Sequence, residues 1–131
     1  MLPPGVHDAT LDEVKMMYAV NKNREGLFEG FARAFANLQK ANCQAVFLDG
    51  SFVTDKPKPS DYDVCWLPFG VDTTVLDPVF LDFSNMRKAQ KKKYSGEFFP
   101  TTSKAALGAS FLDYFQKDKH TGQPKGIIRV R

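Results

Sequence analysis

The sequence predicts an α/β (α+β) fold, a mixed sheet of about five strands with helices packed on it. Segments with apolar residues spaced three and four apart, as in amphipathic helices, occur between short apolar runs that end at glycine, proline or charged residues. The two patterns together are typical of a sheet covered by helices. Because 131 residues suit one hydrophobic core, we treat residues 1–131 as a single domain.

The helices are predicted from their caps and their apolar stripes. Thr10 and Glu13 match a capping box, in which the threonine side chain accepts from the third amide and the glutamate reaches back. The clearest stripe runs through Leu27, Phe31 and Phe35. Helices are therefore predicted over residues 11–18, 22–41, 85–93 and 103–116.

The strands are predicted from short apolar runs bounded by turn residues. The segment 2–5, with two prolines, is instead interpreted as an extended lead-in, because proline fixes φ and lacks an amide donor. Sequential strands tend to pair, so the second and third predicted strands are expected to be neighbours. Strands are predicted over residues 44–50, 62–67, 78–84, 96–100 and 126–131.

Composition and charge indicate an ordinary globular chain that is only mildly basic, with a net charge of +3. No apolar run approaches the ~20 residues of a membrane span, and the first ten residues do not resemble a secretory signal. Cys43 and Cys65 lie beside apolar runs, which indicates reduced, structural cysteines and a cytoplasmic protein. His7 and His120 are far apart, so a His/Cys zinc site is not expected.

The segment 84–93 concentrates positive charge and contains no acidic residue. Two interpretations stand: a solvated helix face, or a patch that attracts phosphate groups. The five cations are Arg87, Lys88, Lys91, Lys92 and Lys93.

Two aspartates at the start of an apolar run are the most informative feature. On a strand, Asp61 and Asp63 would project to the same side about 6–7 Å apart and repel each other. A basic partner, protonation of one carboxyl group or a shared divalent cation would stabilise the pair. A polar loop is the alternative interpretation for both aspartates.

Asp82 is the candidate third carboxylate, because it lies inside the apolar run 78–84. On a strand beside Asp61 and Asp63 it would complete a group able to hold two magnesium ions, the arrangement used in phosphoryl and nucleotidyl transfer. The alternatives for Asp82 are a cap on the helix at 85 or an ion pair with Arg87. Asp49 is interpreted as making a turn or strand-end hydrogen bond.

A glycine-serine turn precedes the aspartates by nine residues. Gly50 would let the backbone approach a phosphate group closely, and the following amides and the Ser51 hydroxyl would donate to phosphate oxygens. Lys56 and Lys58, on the loop between the turn and the aspartates, would offset the charge of a triphosphate.

The order strand, Gly50-Ser51, a spacer, then "DYDV" at 61–64 resembles the signature of the nucleotidyltransferase superfamily that includes DNA polymerase beta. "LPPGVHDATLDEV" at the start and "FLDYFQKDKHTGQPKGII" near the end resemble a little-characterised group of small bacterial and phage proteins with that fold. The resemblance spans nearly the whole chain and implies a minimal nucleotidyltransferase fold.

The resemblance implies an enzyme that uses an NTP and Mg²⁺. Gly50 and Ser51 would contact the triphosphate, Asp61 and Asp63 would be metal ligands, and Asp82 would be a ligand or the base. The expected reaction transfers a nucleoside monophosphate to a hydroxyl group on protein, RNA or a small molecule, with a partner's help in holding the acceptor.

Two further functions stand beside this one. The first alternative is a binding module that keeps the fold but has weak or no catalysis, in a toxin–antitoxin or phage-defence system. In the second, the basic segment 87–93 binds the phosphates of RNA.

Overall fold

The computed structural model describes residues 2–101 and 126–131. Within them, five strands form one mixed sheet in the order β1-β5-β2-β3-β4. β5 runs parallel to β1 and antiparallel to β2, and β3 runs antiparallel to β2 and parallel to β4. The strands are β1 (Gly5–Ala9), β2 (Val46–Asp49), β3 (Asp63–Trp66), β4 (Glu97–Pro100) and β5 (Gly126–Val130).

Three α-helices accompany the sheet in the described residues, so the predicted fold class is confirmed. The capping box before the first helix is present, with the Glu13 amide donating to Thr10 Oγ1 at 3.1 Å and the Thr10 amide to Glu13 Oε1 at 2.9 Å. The predicted helix over 103–116 and His120 lie outside the described residues. The helices are α1 (Leu11–Tyr18), α2 (Lys22–Lys40) and α3 (Ser84–Tyr94).

The apolar stripe of α2 packs on one face of the sheet, as its spacing predicts. Phe31 and Leu38 are fully buried there against Leu48, Val64 and other inward residues of the strands. Side chains on a strand alternate between faces. The opposite face accordingly carries a second, smaller apolar cluster, formed by Cys65, Phe99, Ile127 and the partly buried Phe47.

The strand predicted over 78–84 is wrong, because this segment forms a 3-10 turn, Pro78–Leu81. The proline at its first position suits a helical start, and the Asp77 side chain accepts a hydrogen bond from the Val79 amide at 3.0 Å. Phe80 then points into the core, where its ring stacks on Tyr94 at 5.2 Å. The apolar run reflects this burial and not strand pairing.

The fifth strand is β1, in the segment interpreted as a lead-in. Its residues 5–9 pair in parallel with residues 126–130 of β5, at the edge of the sheet. Three of its five residues are exposed, so the segment lacks the apolar alternation that predicts a strand. None of the helices in the described ranges has the length and apolar character needed to cross a membrane.

Candidate functional site

β2 and β3 bring two aspartates face to face. Asp49 and Asp63 are direct partners in the antiparallel register, so their Cα atoms lie about 4.5–5.5 Å apart and their side chains share one face of the sheet. Asp49 is 2% exposed and Asp63 is half-buried. Cys65 follows on the same face, and its pKa is raised by burial first and then by the charges of Asp49 and Asp63.

The glycine-serine turn lies against the second of these carboxylates. Gly50 has φ +90° and ψ −169°, a conformation that disfavours any residue with a Cβ atom. A Cβ atom at Gly50 would lie 2.9 Å from Asp63 Oδ2 and 3.3 Å from the Asp63 amide nitrogen. Ser51 begins a 3-10 turn, Ser51–Val53, directly after the glycine. The predicted turn and the predicted carboxylate are therefore neighbours in space.

Asp61 lies two residues before Asp63, where β3 begins. Tyr62, between them, is fully buried in the core, and its hydroxyl donates to the Tyr94 carbonyl oxygen at 2.6 Å. Asp61 and Asp63 are both half-buried. Because Tyr62 packs in the core, the aspartates on either side of it are more exposed than the tyrosine, as expected for alternating residues of an extended segment.

Asp82 does not lie on a strand beside these aspartates, because the neighbours of β3 are β2 and β4. It ends the 3-10 turn Pro78–Leu81 and accepts hydrogen bonds from the Ser84 hydroxyl at 2.6 Å and the Ser84 amide at 3.1 Å. These bonds lower its pKa. Asp82 therefore makes a local turn with Ser84 and is not the cap of α3, whose N-cap residue is Phe83. Its predicted alignment with Asp61 and Asp63 on neighbouring strands is wrong.

Glu97 provides the carboxyl group beside Asp63 on the neighbouring strand, since the two residues are register partners of β3 and β4. Glu97 Oε1 lies 2.8 Å from Lys91 Nζ and 3.6 Å from a guanidinium nitrogen of Arg87. Sequence analysis did not identify Glu97, although an acidic residue also begins the other strand, at Asp63. Glu97 belongs to this region because β4 is the neighbour of β3 in the sheet.

Arg24 is the second residue that sequence analysis missed. It is 2% exposed, and its guanidinium donates to main-chain carbonyl oxygens of the loop that follows the glycine-serine turn. The bonds include Phe52 at 2.6 Å, Thr54 at 2.7 Å and Lys56 at 2.5 Å. A usable signal was present, because Arg24 precedes Leu27 and Phe28 by three and four residues and so lies on the apolar stripe of α2.

The predicted cations divide between ion pairs and solvent. Lys56 and Lys58 are exposed on the loop before β3. On α3, Lys93 pairs with Asp77, whereas Lys88 and Lys92 are exposed. The segment is thus neither a purely solvated face nor a uniform positive patch.

The oxygen donors of this region are two facing carboxyl groups and a third nearby in the chain. The parts of the chain that the structure describes contain no group of three or more His, Cys, Asp or Glu side chains arranged to hold a metal ion. Mg²⁺ usually binds proteins through one or two carboxylates, with substrate phosphates and water as its other ligands. The facing carboxyl groups of Asp49 and Asp63, with Asp61 nearby in the chain, match that donor set.

The chain belongs to a family of unknown function, DUF6932, whose model matches residues 1–131. No curated protein and no solved structure matches it. Membership of this family assigns no activity, so the chemistry of the site is the basis for a functional proposal.

Proposed function

We propose that this member of DUF6932 is a Mg²⁺-dependent nucleotidyltransferase, which transfers a nucleoside monophosphate from an NTP to a hydroxyl group on a protein, RNA or small molecule. The observation that carries the proposal is the contact between Gly50 and Asp63. The Gly50-Ser51 turn, which suits a phosphate group, is in contact with the Asp63 carboxylate, which suits a cation bound to that phosphate. The proposal includes a cytoplasmic location, in keeping with two cysteines that form no disulfide.

The glycine-serine turn would hold the triphosphate. A backbone that turns sharply exposes successive amide groups, which bind anions. Ser51 would add a hydroxyl donor. Lys56 and Lys58, exposed on the same loop, would offset the remaining negative charge.

Asp63, together with Asp61 or Asp49, would supply the one or two carboxylate ligands of the metal. When bound, the magnesium ion would neutralise the phosphate oxygens and lower the pKa of the attacking hydroxyl group. Asp49 joins Asp61 and Asp63 here because it faces Asp63 across the sheet. A catalytic role for Asp82 stays a prediction, without the neighbouring strand that suggested it.

Calorimetric titration of ATP, GTP, CTP and UTP, each with Mg²⁺, tests the proposal. Wild type should bind at least one nucleotide only when the metal is present. Asp63→Asn should weaken this binding about tenfold or more, because a charge-assisted contact to the metal–phosphate complex is lost. Asp61→Asn/Asp63→Asn should abolish it.

The control is Asp12→Asn, at an exposed position in the first turn of α1. It removes the same charge and should leave nucleotide affinity unchanged. The proposal would be overturned if nucleotide affinity were the same with and without Mg²⁺ and were unchanged by Asp63→Asn. Far-ultraviolet circular dichroism of each variant confirms that a loss of binding is not a loss of fold.

A binding module in a toxin–antitoxin or phage-defence system is the second candidate. It is supported by the apolar side chains of Met16, Met17 and Val20, which are 81%, 56% and 68% exposed at the end of α1 and just beyond it. Exposed apolar residues close together commonly mark a protein-binding surface. Partner binding that survives Asp61→Asn/Asp63→Asn but not Met17→Lys would favour this candidate.

A further inference from the structure

Two cations of α3 converge on one carboxylate oxygen. Lys91 Nζ lies 2.8 Å and Arg87 lies 3.6 Å from the same Oε1 of Glu97. The side chain of Glu97 is 16% exposed, and those of Arg87 and Lys91 are 26% and 39% exposed. Two positive charges with one negative charge leave the cluster, which we call the Arg87–Lys91–Glu97 cluster, with an excess positive charge at the surface.

Arg87 retains an unused donor. Its Nε atom is buried and has no hydrogen-bond partner in the part of the chain that the structure describes. A buried donor without an acceptor is unfavourable, and such groups are uncommon in native structures. Because a guanidinium group can donate two parallel bonds to a phosphate, an oxyanion placed beside Glu97 would supply the acceptor.

An unusual backbone conformation holds Arg87 in this place. Asn85, Met86 and Arg87 have φ values of 50°, 56° and 62°, which lie in the left-handed region. For residues other than glycine this region is costly, and three in succession are rare. Strained backbone of this kind clusters at binding sites and active sites. The turn directs the Arg87 guanidinium over the ring of Phe99, at 4.8 Å from its centroid.

The cluster lies one strand away from the aspartates of the proposed site. Glu97 is the register partner of Asp63, and Phe99 is the register partner of Cys65. All four side chains belong to the same face of the sheet, by alternation along β3 and β4. The cations are therefore beside the carboxylates and not on a remote surface.

We propose that Arg87 and Lys91 bind a phosphate group, and that Glu97 is the counter-ion that this phosphate displaces. The identity of the ligand rests on the proposed function: the phosphate is part of the pyrophosphate segment of an NTP. The phosphate oxygens would accept from the Arg87 guanidinium, including Nε, and from the Lys91 ammonium. Glu97 would in turn lose its two partners as the anion enters.

Calorimetric titration of inorganic pyrophosphate without metal tests this inference. Wild type should bind pyrophosphate, and Arg87→Gln and Lys91→Gln should each weaken binding about tenfold, because each removes a charged donor. Glu97→Gln should strengthen binding severalfold, since it removes the competing negative charge. The opposite signs separate a binding role from a purely structural ion pair, for which all three variants would act alike or not at all.

Lys92→Gln is the matched control, because it removes one positive charge from an exposed position of the same helix. It should leave the affinity for pyrophosphate unchanged. No binding in wild type, equal losses in Lys92→Gln and Lys91→Gln, or weaker binding in Glu97→Gln would each overturn the inference. Since the titration omits both metal and nucleoside, its failure is distinguishable from loss of the Mg²⁺-dependent NTP binding that tests the proposed function.

Discussion

The Asp63 carboxyl group occupies the space that a side chain at Gly50 would need, with Oδ2 2.9 Å from the position of a Cβ atom there. The positive φ of Gly50 adds a second reason for glycine. The turn after β2 and the start of β3 therefore form one unit, in which backbone conformation and carboxylate position depend on each other.

Gly50→Ala should disturb this unit. We expect a loss of about 1–3 kcal/mol in the free energy of unfolding, from the left-handed backbone and the displaced Asp63 carboxylate. Urea unfolding followed by the fluorescence of Trp66, which is 2% exposed, measures it. The control is Gly26→Ala in α2, where a Cβ atom would contact nothing within 4 Å. That change should stabilise the helix by about 0.5–1 kcal/mol.

Arg24→Met should destabilise the protein by about 3–5 kcal/mol, because buried and partly buried carbonyl oxygens lose donors, and a buried group left without a partner costs about 1–3 kcal/mol. Amide hydrogen exchange over residues 51–56 should accelerate, since these carbonyl groups belong to the loop that Arg24 holds. Arg33→Met is the matched control on the same helix, at an exposed position with one carbonyl contact, to Lys93 at 2.9 Å. Similar losses in both variants would contradict the role given to Arg24.

Asp77 should make stability depend on pH in the acid range. Burial opposes its ionisation, but the hydrogen bonds from Lys93 and Tyr94 outweigh burial, and the pKa of Asp77 is lowered. A carboxyl group whose pKa is lower in the folded than in the unfolded state stabilises the fold above the unfolded value, about 3.9 for aspartate. That contribution is lost as the pH falls through the folded pKa.

Asp77→Asn should therefore cost about 1.5–3 kcal/mol at pH 7, the range for hydrogen bonds to a charged group. The cost should shrink as the pH falls below about 3.9, the unfolded value, and through the lowered pKa of the folded carboxyl group. Urea unfolding at pH 7, 5 and 3 measures this change. Tyr94→Phe removes one donor to Asp77 and should give a smaller effect with the same trend. A difference between wild type and Asp77→Asn that is constant with pH would contradict the assignment.

Met86→Gly should raise the midpoint of thermal unfolding, because glycine adopts the left-handed conformation at φ 56° without a steric cost. Met86 is 74% exposed, so little apolar burial is lost. Met16→Gly, at a position 81% exposed in the right-handed helix α1, is the matched control and should lower the midpoint. Equal destabilisation by both variants would contradict the left-handed turn that supports the Arg87–Lys91–Glu97 cluster.

Local sequence signals were sufficient for much of this protein. The capping box at Thr10, the apolar stripe of α2 and the strands β2, β3, β4 and β5 all follow from residues within a few positions of one another. The approach of Gly50-Ser51 to Asp63 arises from the antiparallel pairing of β2 with β3, which was not predicted although consecutive strands tend to pair. Helix caps, turns and alternation are short-range properties, and the sequence contains them directly.

Only the tertiary structure decided which elements became neighbours. The run 78–84 is as apolar as a strand, yet Phe80 packs in the core from a 3-10 turn. Asp82 ends that turn and so does not lie on a strand. β1 is a strand because β5 pairs with it, not because of its own pattern. The positions of Glu97 beside Asp63 and of Arg24 behind the loop likewise depend on pairings between residues distant in the chain. Burial and strand register are set by the whole fold, so a local sequence pattern does not predict them.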